Sequence, residues 1–259
     1  MSKIRCAFQN GKAFLVSVTA GDLSREKTVE FIRMMESAGA DLIEIGIPFS
    51  DPTGEGIVIQ DANIRALLGG MTTDGVFDIV REIRETSQIP LVFLTYLNPV
   101  FHYGYERFLT KCEGLGVDGL IIPDLPFEEK GELADIAKAH GVDIISTIAP
   151  TSRQRIQRIA SEASGFVYVA ASMGVTGTHS ENSTDIVPTI TAIRQVTDIP
   201  VAVGFGIRTP EQAGEMAKVS DGAIVGTEIT KLIAKHGENA SAEIYEYVKK
   251  MKEAIREAK

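Results

Sequence analysis

The sequence predicts an α/β fold: a single (β/α)8 barrel with extra short helices, one domain over residues 1–259. Three observations carry that expectation. Short apolar, β-branched runs alternate with longer amphipathic runs from one end of the chain to the other, with no break in composition. The first strand is not followed by the G-x-G-x-x-G turn of an open dinucleotide-binding sheet, the alternative architecture. The second and sixth units are longer than the others, and their additions follow the strands, on the side where barrels build their sites.

Taken in order, strands are expected at Ala13–Ala20, Asp41–Ile47, Leu91–Tyr96, Gly119–Pro123, Asp143–Ala149, Gly165–Ala171, Val201–Phe205 and Gly222–Val225. Helical periodicity fills the intervals: Arg25–Ala38, Gly75–Thr86, Tyr105–Leu115, Glu128–Ala139, Ser152–Ala163, Ile186–Val196, Glu211–Val219 and Ala242–Glu257. In Tyr105–Leu115, Phe108, Leu109, Cys112 and Leu115 recur at steps that place them on one face, while Glu106, Lys111 and Glu113 fall on others. Thr209-Pro210-Glu211 is a helix start, with a capping hydroxyl followed by proline in the first turn, and Gly39, Gly116 and Gly141 stand where helices stop. The second unit holds an additional helix, Ile57–Leu68, and the sixth a loop rich in Gly, Thr, Ser and Asn at Gly174–Ser183.

Bulk properties narrow the function. Of 259 residues, 44% are hydrophobic and 24% charged, enough apolar material for a core. The net charge of −9 and the scatter of the basic residues exclude a phosphate-backbone footprint, so no nucleic-acid partner is expected. The two cysteines, Cys6 and Cys112, lie far apart and form neither a disulfide framework nor a thiolate metal set. The opening MSKIRCAFQNGK lacks the apolar centre of a secretory leader, and no run is long enough to span a membrane. A cytoplasmic protein is expected.

The residue that departs from its surroundings is Glu44. It interrupts the apolar run Leu42-Ile43-Glu44-Ile45, where an ionised carboxylate loses hydration and its pKa rises unless it is partnered. It is either a structural carboxylate bonded to a neighbouring Tyr or Ser, or a general acid and base. Just beyond the strand, Ser50-Asp51-Pro52-Thr53-Gly54-Glu55-Gly56 holds two more acids in a flexible segment. Asp51 suits a loop-folding Asx-turn, and Glu55 is either a solvated loop acid or a second member of the site. A metal set of Glu44, Asp51, Glu55 and Asp61 has neither histidine nor calcium-loop spacing, so no metal is expected. Gly204-Phe205-Gly206 and Gly226-Thr227 end the last two strands ahead of helices. There, backbone N–H groups and the helix dipole favour an anion, a phosphate above all. Tight turns are the alternative. Tyr96 and Tyr168 close the third and sixth strands and are further candidates.

Six segments in order, IEIGIPFSDP with an acid four residues beyond Asp51, FLTYLNPVFHYG, GVDGLIIPDLP, GFVYVAASMGVTG, PVAVGFGI and DGAIVGT, resemble the α subunit of tryptophan synthase over nearly the whole chain. The resemblance implies a (β/α)8 barrel that cleaves indole-3-glycerol phosphate to indole and glyceraldehyde 3-phosphate, a lyase of tryptophan biosynthesis. It also implies a β-subunit partner in an α2β2 assembly, with pyridoxal phosphate in that partner and no cofactor in this chain. Carried over, Glu44 matches the acid–base residue, Glu55 the second catalytic acid, and Tyr168 the tyrosine beside them. Gly177, Gly206, Gly226 and Thr227 match the phosphate site; Thr176 matches the lid, and Leu94, Ile121 and Phe205 the indole pocket. Pro52, Asn98 and Pro99 fall on the rim expected to meet the partner.

The departures concentrate near the substrate. Glu55 replaces the family's aspartate, Ser17 an aromatic against the indole ring, Thr53 an apolar residue, Ile57 a proline and Thr227 a serine. Glu228 adds an acid beside the phosphate site and is expected to point away from it. Two other readings therefore stand beside the lyase: a weakened subunit that chiefly binds and activates its partner, and another sugar-phosphate isomerase or epimerase.

Overall fold

The computed structural model describes residues 3–149, 152, 154–170, 186–204 and 206–258. Nine strand segments form one parallel sheet: β1 (Ala13–Thr19), β2 (Leu42–Gly46), β3 (Leu91–Leu94), β4 (Gly119–Ile121), β5 (Asp143–Ile144), β6 (Ser146–Ile148), β7 (Val167–Ala170), β8 (Val201–Gly204) and β9 (Gly222–Val225). Their order is β5-β4-β3-β2-β1-β9-β8-β7-β6. Only Ile145 separates β5 from β6. The first pairs with β4 and the second with β7, so Asp143–Ile148 is one stave that closes the ring. The open-sheet alternative is thereby excluded, and the TIM-barrel expectation holds, with its fifth strand broken in the middle.

Eleven helices are described: α1 (Arg25–Ser37), α2 (Ile57–Leu68), α3 (Thr73–Arg84), α4 (Leu97–Tyr103), α5 (Tyr105–Leu115), α6 (Gly131–Ala139), α7 (Ile156–Ser161), α8 (Val187–Arg194), α9 (Pro210–Val219), α10 (Thr227–His236) and α11 (Ser241–Glu257). None is long and apolar enough to cross a membrane. The predicted start of α9 is a complete capping box, in which Thr209 accepts from the Gln212 N–H and Gln212 returns the bond. Helix α5 ends as predicted at Gly116, which takes the left-handed conformation at φ 68° that a side chain would resist.

Two helices correct the sequence reading. α4 fills the interval between a third strand shorter than expected and the helix from Tyr105; Pro99 sits in its first turn, where a missing N–H costs nothing. Tyr96 is consequently the cap of α4 rather than the end of β3. α10 adds a helix between β9 and the expected last one.

Alternation along each strand divides the interior. Phe14, Val16, Ile43, Ile45, Leu91 and Phe93 face outward to the helices. Phe93 packs edge-on against Phe77 of α3 and Phe108 of α5, with ring centroids 5.6 and 6.1 Å away. Leu15, Leu42, Val92, Ile145, Phe166 and Tyr168 face the lumen, and the short 3-10 turn Lys3–Phe8 plugs its floor with Ile4 and Ala7. The opposite end stays open.

Candidate active site

Glu44 lies two residues beyond the lumen-facing Leu42, and the period of two turns it inward as well. It is 1% exposed. Its register partner on β1 is Ser17, two residues beyond the inward Leu15, so the side chains stand side by side and the Ser17 hydroxyl donates to Glu44 Oε2. Glu44 Oε1 is buried and has no hydrogen-bond partner among the described residues. Burial, reinforced by the negative charge of Glu55 and opposed by the Ser17 bond, pushes the Glu44 carboxyl up to about 7.

Glu55 is brought to the same place by the loop after β2. Its N–H donates to Pro52 O (3.0 Å), the N–H of Gly54 donates to the Tyr96 hydroxyl (2.8 Å), and Gln60 Nε2 donates to Glu55 O (2.7 Å). The acid is thus held in a tight turn and is only 6% exposed, so it is not a solvated loop residue. Tyr96, one of the two tyrosine candidates, is committed to fixing this turn. Tyr168 lies across the lumen on β7, its phenol pushed well above the usual range by burial and by the charges of Glu44 and Glu55. Its ring fits because Gly204 on the neighbouring strand has no side chain: a Cβ there would overlap the hydroxyl.

These residues line one cavity of about 470 Å³ at the C-terminal mouth. Glu44, Glu55, Tyr168, Leu94, Ile121 and Pro52 are on its wall with Gly206, Gly226 and Thr227, and Gly226 follows β9, beside the strand that carries Ser17. Gly226 caps the N-terminus of α10 and Thr227 begins that helix, so its free N–H groups and dipole are directed at the cavity. Gly206 has φ 85° and open space where a Cβ would be, an arrangement that lets a ligand approach the backbone. Glu228 does not line the cavity. As expected it turns away, onto Lys231 (2.7 Å) and toward Arg208 (3.8 Å). Asp51 and Asp61 are exposed, and among the described residues no three His, Cys, Asp or Glu side chains gather into a metal-binding group.

Some predicted residues lie elsewhere. Asn98 and Pro99 are on α4, Asn98 exposed, whereas Pro52 is buried against the cavity rather than presented on the rim. Thr176, Gly177 and Phe205 are outside the described residues. Sequence reasoning missed Asn63, which is buried on α2, lines the cavity and accepts from the Phe49 N–H (2.9 Å). It also missed Asp22, which the Arg65 guanidinium grips at 2.7 and 3.0 Å, tying the loop after β1 to α2. A buried polar residue on a helix of otherwise apolar inward positions is the signal that could have found Asn63.

Fold and cavity define a (β/α)8-barrel enzyme whose mouth brings a buried carboxyl and a helix N-terminus onto the wall of one cavity. Residues 4–256 match the family model described as tryptophan synthase alpha chain. The tryptophan synthase alpha chain of Lacticaseibacillus casei is 47% identical, covering 98% of this chain and 96% of its own, and that of Lactiplantibacillus plantarum 46%, covering 98% and 97%. Among solved structures, tryptophan synthase subunit alpha from Legionella pneumophila superposes with a TM-score of 0.89 at 32% identity, covering 98% of each chain. The tryptophan synthase a2b2 complex of Pyrococcus furiosus matches with a TM-score of 0.82 at 30% identity, over 93% of this chain and 98% of that one. The chain belongs to the tryptophan synthase alpha chain family, and its enzyme class is that family's lyase.

Proposed function

We propose that this chain, working as one barrel domain in the cytoplasm, cleaves indole-3-glycerol phosphate with Glu44 as the acid and base and Glu55 as its assistant. The substrate phosphate rests on the N–H groups around Gly206, Gly226 and Thr227, with Gly177 completing the cradle and Thr176 the lid. The indole ring lies toward Leu94, Ile121 and Phe205. Glu44 gives its proton to ring carbon C3, which becomes tetrahedral and leaves positive charge on the ring nitrogen; the Glu55 carboxylate takes the N–H and offsets that charge. The Glu44 carboxylate then removes the proton from the adjacent glycerol hydroxyl. The C–C bond breaks, its electrons restore the indole, and the hydroxyl carbon becomes the aldehyde of glyceraldehyde 3-phosphate. One group performs both transfers, which requires a pKa near neutrality.

The observation that supports this reading most is the burial of Glu44, 1% exposed, on the wall of a cavity that also holds Glu55, a setting that raises its carboxyl to about 7. Glu55 carries one methylene more than aspartate, and Gly54 and Gly56 on either side leave its backbone free to adjust to that length. Glu55→Ala should therefore lower indole release about 100-fold or more; a variant as fast as the parent, assayed on indole-3-glycerol phosphate, would remove Glu55 from the mechanism. No cofactor is needed for these steps. The Pyrococcus relative is an a2b2 complex, and we place the same kind of β subunit, bearing pyridoxal phosphate, against the rim that carries Asn98, Pro99 and Phe101. Phe101 is 69% exposed there, on α4.

A further inference from the structure

Only two strands flank β2, and they bring different things to Glu44. β3 contributes the apolar Val92 and Leu94, whereas β1 contributes Ser17, its direct register partner. The titratable groups that face Glu44 are Glu55 and Tyr168, and neither supplies positive charge. The Ser17 hydroxyl is therefore the one donor recorded on this carboxyl among the described residues, and it engages Oε2 while Oε1 has none. A Cβ at Gly226 would come within 2.9 Å of the Ser17 Cβ, so the glycine that opens the helix N-terminus to the cavity also makes room for the serine.

We infer that Ser17 is the positioning residue of Glu44, its hydroxyl clamping Oε2 so that Oε1 is the oxygen that releases and recovers the proton. An O–H directed at Oε2 needs a lone pair there, and the carboxyl proton is left to the other oxygen. After the proton has gone to the substrate, the same bond stabilises the carboxylate in place for the return transfer from the glycerol hydroxyl. The inference rests on the proposed role of Glu44 and deepens it. It also gives Ser17 a role that its sequence position, where a ring contact is expected, does not suggest.

Ser17→Ala removes the hydroxyl and leaves the wall otherwise unchanged. Two readouts are compared with the parent: the pH profile of kcat for indole release, and the titration of the Glu44 carboxyl followed by carbon-13 NMR, its resonance assigned by its loss in Glu44→Gln. In Ser17→Ala the titration should move up by about one pH unit, and kcat should fall about 10-fold with little change in KM. Loss of activity in Glu44→Gln, together with a Ser17→Ala enzyme whose titration and kcat profile superimpose on the parent's, would overturn the inference while leaving the role of Glu44 intact. A Glu44→Gln enzyme that releases indole at the parental rate would overturn that role and, with it, the inference.

Discussion

Both ends of the barrel bury a carboxyl group, and they treat it in opposite ways. At the floor, Asp118 precedes β4 and its Oδ2 accepts from the Leu91 N–H at 3.0 Å, with the Arg84 guanidinium 3.5 Å away. Arg84 in turn reaches the carbonyls of Ile89 and Gly116 at 2.7 Å each, so it knits the ends of α3, α5 and β3 together. At the mouth, Glu44 has one hydroxyl, a second acid nearby and, among the described residues, no cation. Burial raises both carboxyls, but at the floor the backbone donor, Arg84 and Lys3 all pull the other way. A buried acid whose charge is matched ties the fold together; one left unmatched keeps a proton that it can trade.

The largest effect should come from removing the unmatched group. Glu44→Gln keeps the shape and the Ser17 contact but cannot release a proton, and indole formation should fall about 10³-fold. The same variant carries a stability consequence of opposite sign. Because the folded-state pKa of about 7 lies above the ordinary 4.5, the native protein holds a proton that the unfolded chain gives up between those values. The stabilising contribution of the protonated group is full below about 4.5 and is lost as pH rises toward 7. The loss amounts to on the order of 3 kcal/mol at most. Urea titrations at pH 5 and pH 8 should show parent and Glu44→Gln drawing apart, with the glutamine variant relatively more stable at the higher pH. Equal pH slopes would mean that Glu44 is not buried in its protonated form.

Removing the matched group should leave catalysis alone. Asp118→Ala strips the acid from Arg84 and from the Leu91 N–H and should cost about 3 kcal/mol of stability by urea denaturation, with kcat/KM within about 2-fold of the parent. If this variant slowed indole release as Glu44→Gln does, the division between floor and mouth would be wrong.

That division was half legible in the sequence. Glu44 stood out because a carboxylate inside an apolar strand contradicts the local pattern, and the strand period alone placed it in the lumen. Asp118 gave no such signal, since an acid between Val117 and Gly119 reads as an ordinary loop residue just ahead of a strand. Its partner, Arg84, lies on another element, and only closure of the ring brings the two together. The same holds for Ser17 and Glu44, which are adjacent solely through the parallel register of β1 and β2. Local punctuation served well where it is chemical, as at Thr209-Pro210 and Gly116. It gave nothing for α4, whose first turn holds Pro99, nor for Ile145, which divides a stave that the sequence writes as continuous.

The smallest effect belongs to acids outside the barrel altogether. His140, at the end of α6, is flanked by Glu113 at 2.7 Å and Glu106 at 3.2 Å, both on α5. Hydrogen bonds to these carboxylates, Glu113 first, raise the imidazole pKa above its usual 6.5. A histidine whose folded-state pKa is raised stabilises the fold fully below 6.5, and that contribution fades as pH climbs through the raised value. Water and salt screen these groups, so the contribution should be slight. Proton NMR of the His140 ring should give a titration midpoint above 6.5 that falls back in Glu113→Gln, and added salt should lower it toward the ordinary value. A His140 midpoint insensitive to salt would show that this surface cluster is shielded, and that carboxylates outside the barrel follow the same rules as those buried at its ends.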